Sequence, residues 1–74
     1  MRKLLATVFY GDHVRYHIEC EMTECFAQLK KWIRENCTLD AQAEDDLTNC
    51  DTVEDFEYFF SDHSTMFHVE FDYS

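Results

Sequence analysis

Two runs of alternating residues, 3–10 and 13–20, flank the dipeptide Gly11-Asp12. A two-residue connection of this kind suits a type I′ or II′ hairpin turn, which predicts two antiparallel strands. With this loop, the pairs on the core face are Phe9 with Val14, Thr7 with Tyr16 and Leu5 with Ile18. The outward face then carries Val8 with Arg15, Ala6 with His17 and Leu4 with Glu19. The first run is apolar on both faces, which is typical of a central strand.

The period then changes to that of a helix, predicted from about Glu24 to about Cys37 with Thr23 as N-cap. A short, weakly anchored helix is predicted over residues 39–48, followed by a break at 49–51. A further helix is capped by Asp51 or Thr52, and its buried stripe is Val53, Phe56, Phe59 and Phe60. Clean alternation from Thr65 to Tyr73 predicts a third strand.

These elements predict an α+β fold of order β-β-α-α-β, with a small antiparallel three-stranded sheet and helices on one face. Seventy-four residues correspond to a single domain, 1–74, which argues against an enzyme with its own cofactor-binding fold. We expect no cofactor. The start of the chain lacks a signal-peptide cleavage site, and no segment is long enough to span a bilayer. We therefore expect a soluble, cytoplasmic protein.

Charge is distributed unevenly along the chain. Residues 1–34 hold six basic and four acidic residues, a net charge of +2, whereas residues 35–74 hold twelve acidic residues and no base, a net charge of −12. Such a surface repels nucleic acid and anionic membranes and attracts a basic partner.

The densest acidic stretch is residues 40–62, in which nine carboxylates are interspersed with four aromatic residues. The stretch does not match an EF-hand, because the position that requires glycine is Asp45 and the position that requires glutamate is Asp51. Acid–base catalysis by paired carboxylates needs a cleft, which a chain of this length can hardly form. Weak, unspecific binding of divalent cations remains open.

The cysteines and histidines form no recognisable site. Cys20, Cys25, Cys37 and Cys50 lack the spacing of a zinc finger or ribbon, and we interpret them as small apolar residues, Cys25 included. His13, His17 and His68 are predicted on the outward sheet face, with His17 and His68 on strands too far apart to share a metal directly. His63 is predicted in a loop. We expect no metal site.

If all of residues 40–62 were helical, their carboxylates would lie about 4 Å apart along the axis, close to the phosphate spacing of roughly 3.4 Å in a DNA strand. The break at Cys50 makes this an argument about charge density. A folded acidic surface of this density can occupy the basic groove of a nucleic-acid-binding protein. The predicted partner-binding residues are Asp40, Glu44, Asp45, Asp46, Asp51, Glu54, Asp55, Glu57, Tyr58 and Asp62.

Two other interpretations stay open. The acids can simply keep an apolar small protein soluble, although solubility does not require twelve of them without a base. Alternatively, the chain is a protein-interaction module or homodimer that uses the outward sheet face. That face is predicted to contain Leu4, Ala6, Val8, Tyr10, Arg15, His17, Met66 and His68.

In size, acidity and lack of a catalytic motif, the chain resembles the small phage-encoded anti-CRISPR and anti-restriction inhibitors, several of which mimic nucleic acid. The resemblance is one of class and rests on residues 40–62 and on composition. It implies a non-enzymatic inhibitor that blocks a basic nucleic-acid-binding protein or ribonucleoprotein complex of the host, acts in the host cytoplasm if it is phage-encoded, and does not itself bind nucleic acid or membrane.

Overall fold

The computed structural model describes residues 3–63 and 66–73. The order of elements is β1 (Leu4–Tyr10), β2 (His13–Cys20), α1 (Met22–Asn36), α2 (Ala41–Thr48), α3 (Val53–His63) and β3 (Phe67–Tyr73). The predicted α+β class and antiparallel three-stranded sheet are confirmed. The two helical segments after α1 remain separate helices, so the order is β-β-α-α-α-β.

The sheet has the strand order β2-β1-β3, and both pairings are antiparallel. β1 is therefore the central strand, as its apolar character on both faces predicted. The turn between β1 and β2 places Gly11 at φ 60°, in the left-handed region that a tight hairpin turn requires and that glycine adopts without steric cost. The hairpin prediction is confirmed at this turn.

The predicted assignment of the two faces of β1 is wrong. Leu4, Ala6 and Val8 are buried beneath the helices, while Leu5 and Thr7 lie on the outer face. The hairpin pairs as predicted from Tyr10–His13 to Phe9–Val14, but the next pair is Val8 with Tyr16, so Arg15 is an extra residue in a β-bulge.

The bulge explains this error because a shift of one residue exchanges the two faces of a strand. Beyond Arg15, Tyr16 and Ile18 face the helices as predicted, but their partners on β1 are Val8 and Ala6 instead of Thr7 and Leu5. The predicted outward pairs of Ala6 with His17 and Leu4 with Glu19 fail for the same reason. His17 and His68 do lie on the outer face, opposite Thr7 and Phe9.

The helices cover one face of the sheet. α1 packs over β1 and β2, α3 packs over β3, and α2 packs against α3. The core combines this sheet face with the apolar stripes of all three helices; its fully buried large side chains are Leu4, Val8, Cys25, Leu29, Ile33, Leu47 and Phe56. Three aromatic rings at its edge pack in series, with Trp32 stacked on Tyr16 at 5.4 Å and edge-on to Phe67 at 5.5 Å.

The observed N-caps agree with the predicted capping residues for α3 but not for α1. Thr23 was predicted to cap α1, but the amide of Cys25 donates to the carbonyl of Glu21, so Glu21 is the N-cap and no side chain caps the helix. β2 ends at Cys20, and the chain enters α1 after a single residue. For α3 the open alternative resolves to Thr52, whose Oγ1 accepts from the amide of Asp55 at 3.1 Å.

β3 begins at Phe67, so Met66 precedes the strand; Thr65, the predicted first residue, lies outside the described residues. Phe67, Val69 and Phe71 face the helices, and His68 and Glu70 face outward, which confirms the predicted alternation. Within residues 3–63 and 66–73, no helix has the length and apolar character needed to cross a membrane.

Candidate partner-binding surface

The three consecutive acids of α2 have three different environments. A helix turns about 100° per residue, so Glu44, Asp45 and Asp46 project in three directions around the axis. Glu44 reaches α1, where its Oε1 lies 2.7 Å from Nε of Arg34. Asp46 reaches α3, where its Oδ2 lies 2.6 Å from Nε2 of His63. Asp45 is exposed and lies opposite the buried stripe of α2.

Two of the predicted acids act as structural caps. The carboxylate of Asp40 accepts a hydrogen bond from the amide of Ala43 at 2.8 Å and caps α2. Asp55 accepts from the amide of Asp51 at 3.0 Å, which together with the Thr52 cap forms reciprocal contacts at the start of α3. The backbone hydrogen bond from Asp51, followed by those from Thr52, lowers the pKa of Asp55 from its ordinary value.

The exposed side of α3 is acidic around one large aromatic ring. Glu54, Glu57 and Asp62 are exposed, and Tyr58 is 72% exposed. Because Glu54 and Asp62 lie one helical turn before and after Tyr58, the ring is flanked by carboxylates along the helix. Within the described part of the chain, Asp45, Asp51, Glu54 and Glu57 form no ion pair.

We call the exposed sides of α2 and α3, together with Asp51 in the segment that connects them, the acidic surface. It contains Asp45, Asp46, Asp51, Glu54, Asp55, Glu57, Tyr58 and Asp62. Two predicted partner-binding residues are not included because they have structural roles: Glu44 is paired with Arg34, and Asp40 caps α2. The acidic surface spans two packed helices instead of one continuous helix, as the predicted break near Cys50 implied.

A depression of about 220 Å³ lies between α2 and α3, and we call it the interhelical pocket. It is lined by Asp46, Asn49, Cys50, Asp55, Tyr58, Phe59 and His63. It joins the two helices of the acidic surface, since Asp46 comes from α2 and Asp55 and Tyr58 come from α3.

His63 was predicted in a loop, but it is the last residue of α3 and is half-buried. Its ring packs against Phe59 with 5.0 Å between ring centroids. The hydrogen bond from His63 is the largest cause that lowers the pKa of Asp46, and a second bond from Gln42 acts in the same direction. The spacing of 17 residues between Asp46 and His63 has no local periodicity, so the sequence contained no signal for this contact.

One group of three potential metal ligands occurs among the described residues: Asp46, Asp62 and His63, with ligand atoms all within 4.8 Å of one another. Nε2 of His63 lies 3.6 Å from Oδ2 of Asp62. One imidazole and two carboxylates suit a borderline divalent cation such as zinc or manganese better than calcium. The 2.6 Å contact between His63 and Asp46 would have to open for an ion to enter between them.

The thiols of Cys25 and Cys50 are poorly suited to nucleophilic chemistry. Cys50 lines the interhelical pocket beside His63, but its Sγ donates to the carbonyl oxygens of Asp46 and Asp55. Burial, and then the charge of Asp55, raises the pKa of Cys50 to about 11. Burial also raises the pKa of Cys25 to about 11, with a further contribution from Cys20. The interpretation of Cys25 as a core residue is confirmed, since it is fully buried.

The outer face of the sheet is the second surface without a helix over it. Leu5, Thr7 and Phe9 run along its centre and are half-buried, and Val14 is 57% exposed. Of the residues predicted for this surface, Leu4, Ala6 and Val8 are wrong because they belong to the core, whereas His17 and His68 do lie on it. Comparisons of the chain with known protein families, with curated proteins and with solved structures find no match.

Proposed function

We propose that the protein is a non-enzymatic inhibitor that binds a basic nucleic-acid-binding host protein, or a ribonucleoprotein complex, through the acidic surface. In this proposal the acidic surface takes the place of nucleic acid in the basic groove of the partner, as in anti-CRISPR or anti-restriction inhibition. In this proposal the protein is encoded by a phage and acts in the cytoplasm of the host cell.

The observation that carries the proposal is the combination of unpaired carboxylates with an exposed tyrosine. Asp45, Asp51, Glu54 and Glu57 have no basic partner in the described chain, while Tyr58 is 72% exposed among them. Unpaired charges of one sign give long-range attraction to a basic groove. Tyrosine is one of the residues that most often supply the short-range binding energy of an interface.

The stability that the fold loses to repulsion between these acids supports the same proposal. Like charges close together on a helix lower its stability by about 0.2–0.5 kcal/mol per pair, as for Glu54 and Glu57 at i,i+3. α1 and α2 show that the fold accommodates compensating pairs, because Arg34 meets Glu44. A surface kept uncompensated beside such pairs favours a role in binding over a role in solubility alone.

A capture experiment tests this function. The tagged protein is incubated with bacterial lysate and washed at about 50 mM and about 200 mM salt, with and without duplex DNA as competitor, because electrostatic mimicry is sensitive to salt. We expect a basic nucleic-acid-binding protein that is retained at low salt and displaced by DNA. A partner that is indifferent to both salt and DNA would contradict the proposal.

The outer sheet face supports a second candidate, a protein-interaction module or homodimer. Val14 is 57% exposed beside its half-buried strand partner Phe9, and the half-buried Leu5 lies further along the same face of β1, with no helix above them. Apolar residues on an uncovered sheet face are typical of contact surfaces. Sedimentation analysis of the wild type and of a Phe9→Ser, Val14→Ser variant separates a homodimer, which dissociates in the variant, from a monomer.

A further inference from the structure

The interhelical pocket combines chemical groups that a solubilising surface does not need to bring together. Two carboxylates, Asp46 and Asp55, and two aromatic rings, Tyr58 and Phe59, line one depression with the carboxamide of Asn49. Its volume of about 220 Å³ is below the roughly 300 Å³ at which small-molecule pockets begin. The size therefore favours a single side chain over a free metabolite.

Both carboxylates are held in place by the fold. Oδ2 of Asp46 lies 2.6 Å from Nε2 of His63, and its Oδ1 accepts from the side chain of Gln42 at 3.0 Å. Asp55 accepts from the amide of Asp51 at 3.0 Å. A carboxylate has about four acceptor positions, so these contacts orient the groups and leave acceptor capacity for a ligand.

The aromatic rings complete the site for a cation. Tyr58 is largely exposed, whereas Phe59 is buried and contacts His63 with 5.0 Å between centroids. An aromatic face attracts a cation within about 6 Å of its centre, and arginine forms such contacts more often than lysine. The residues that line the pocket include no Lys or Arg. The basic residue of the lining is His63, whose Nε2 lies 2.6 Å from Oδ2 of Asp46, so the protein supplies the anionic and aromatic groups without a Lys or Arg.

We propose that the interhelical pocket receives an arginine side chain of the basic partner, with the guanidinium on the Asp46 and Asp55 carboxylates and against the Tyr58 ring. Arginine fits better than lysine because its planar guanidinium donates in pairs to carboxylates and stacks on aromatic rings. The choice of ligand rests on the proposed function, which requires a basic partner. The pocket itself is testable without that partner.

The experiment is an NMR titration of the uniformly ¹⁵N-labelled 74-residue protein with hexa-arginine, and in parallel with hexalysine. We expect the largest shifts at the amides of Tyr58 and Phe59 and at the side-chain amide of Asn49, and tighter binding of hexa-arginine. Shifts spread evenly over all acidic residues, with equal affinity for the two peptides, would overturn the inference.

Matched variants separate the pocket from general charge. Tyr58→Ala should weaken hexa-arginine binding about fivefold, the equivalent of roughly 1 kcal/mol for a cation–aromatic contact, while Tyr73→Ala leaves it unchanged. Asp46→Asn should weaken it about tenfold, and Asp45→Asn, which removes the same charge from the adjacent residue, by less than threefold. Equal effects in either pair would overturn the inference, and the dispersion of each spectrum reports whether the variant is folded.

Zinc chloride alone tests the rival occupant, a metal ion on Asp46, Asp62 and His63. Stoichiometric zinc binding without any response of the pocket to hexa-arginine would overturn the proposal.

The results that would refute the arginine pocket differ from those that would refute the proposed function. Pocket binding of hexa-arginine with no DNA-displaced partner refutes the proposed function alone, and a DNA-displaced partner whose capture survives Tyr58→Ala and Asp46→Asn refutes the arginine pocket alone.

Discussion

Helices α1 and α3 pack on the same face of the sheet, yet the charges on their exposed sides differ in use. On α1, Lys30 donates to the carbonyl of Thr48 at 3.1 Å and Arg34 pairs with Glu44 at 2.7 Å, so both cations tie α1 to α2. On α3, Glu54 and Glu57 have no partner among the described residues. The charges of Lys30 and Arg34 therefore contribute to the fold, whereas Glu54 and Glu57 form no ion pair within the described residues.

The largest expected effect separates the two sides of α3. Phe56 is fully buried, and its ring packs against Phe26 at 4.9 Å, so Phe56→Ala should lower the free energy of unfolding by about 3–5 kcal/mol. Tyr58→Ala, two residues away on the exposed side, should change it by less than about 0.5 kcal/mol. Urea unfolding followed by circular dichroism measures both. A large loss in Tyr58→Ala would mean that the ring serves the fold.

Removal of an N-cap side chain should give the next largest loss of stability, and it should do so for α3 but not for α1. Thr52→Ala removes the acceptor for the amide of Asp55 and should cost about 1 kcal/mol of stability. Thr23→Ala should be close to neutral, because the N-cap of α1 is Glu21 and no side chain caps the helix. Thermal unfolding of the two variants checks this difference. Equal losses would contradict the observed start of α1.

The ion pair of α1 should contribute less. Arg34→Gln removes the contacts to Glu44 and to Oγ1 of Thr48, both on a partly exposed surface, and should cost about 0.5 kcal/mol at low salt. Lys31→Gln is the control, since Lys31 is exposed and makes no ion pair in the described chain. If the two variants unfold alike in urea at low salt, the proposed tie between α1 and α2 does not stabilise the fold.

A pH series tests the smallest effect, at the junction of α2 and α3. The pKa of Asp46 is lowered by its bond to His63, so its contribution to stability is present above the ordinary carboxyl value of 3.8 and is lost as pH falls below it through the lowered value. The stability difference between the wild type and Asp46→Asn should therefore shrink below about pH 4. Asp45→Asn, which removes the adjacent exposed carboxylate, is the control for the change of charge. Urea midpoints between pH 3 and pH 6 measure both differences.

Local pattern was enough to predict most elements. The stripe of Phe56, Phe59 and Phe60 predicted the buried side of α3, and alternation predicted which residues of β3 face the core, because both follow from a fixed residue period. The Arg15 bulge was not predictable from that period. Since β1 is apolar on both faces, its core face could be assigned only through its pairing with β2, and the bulge changes that pairing.

The sequence predicted the negative charge of the candidate site but not the contacts that its side chains make. Composition showed that residues 40–62 carry nine acids. The helical period also predicted that Tyr58 lies outside the buried stripe of α3, and the residue is 72% exposed. Only packing showed that Glu44 is neutralised by Arg34 and that Asp46 meets His63 across 17 residues. These contacts depend on how α2 lies between α1 and α3, which no local spacing encodes.

One capture assay compares the acidic surface and the outer sheet face as the site of partner binding. One variant carries Asp45→Lys, Glu54→Lys and Glu57→Lys, which alter unpaired acids and should leave stability near that of the wild type, because relief of repulsion is offset by the unfavourable cation at the start of α3. The other carries Phe9→Ser and Val14→Ser on the outer sheet face. We expect the first variant to retain at least tenfold less of the DNA-displaced partner at about 50 mM salt and the second to retain it fully. The reverse result would contradict the proposed role of the acidic surface and assign partner binding to the outer sheet face.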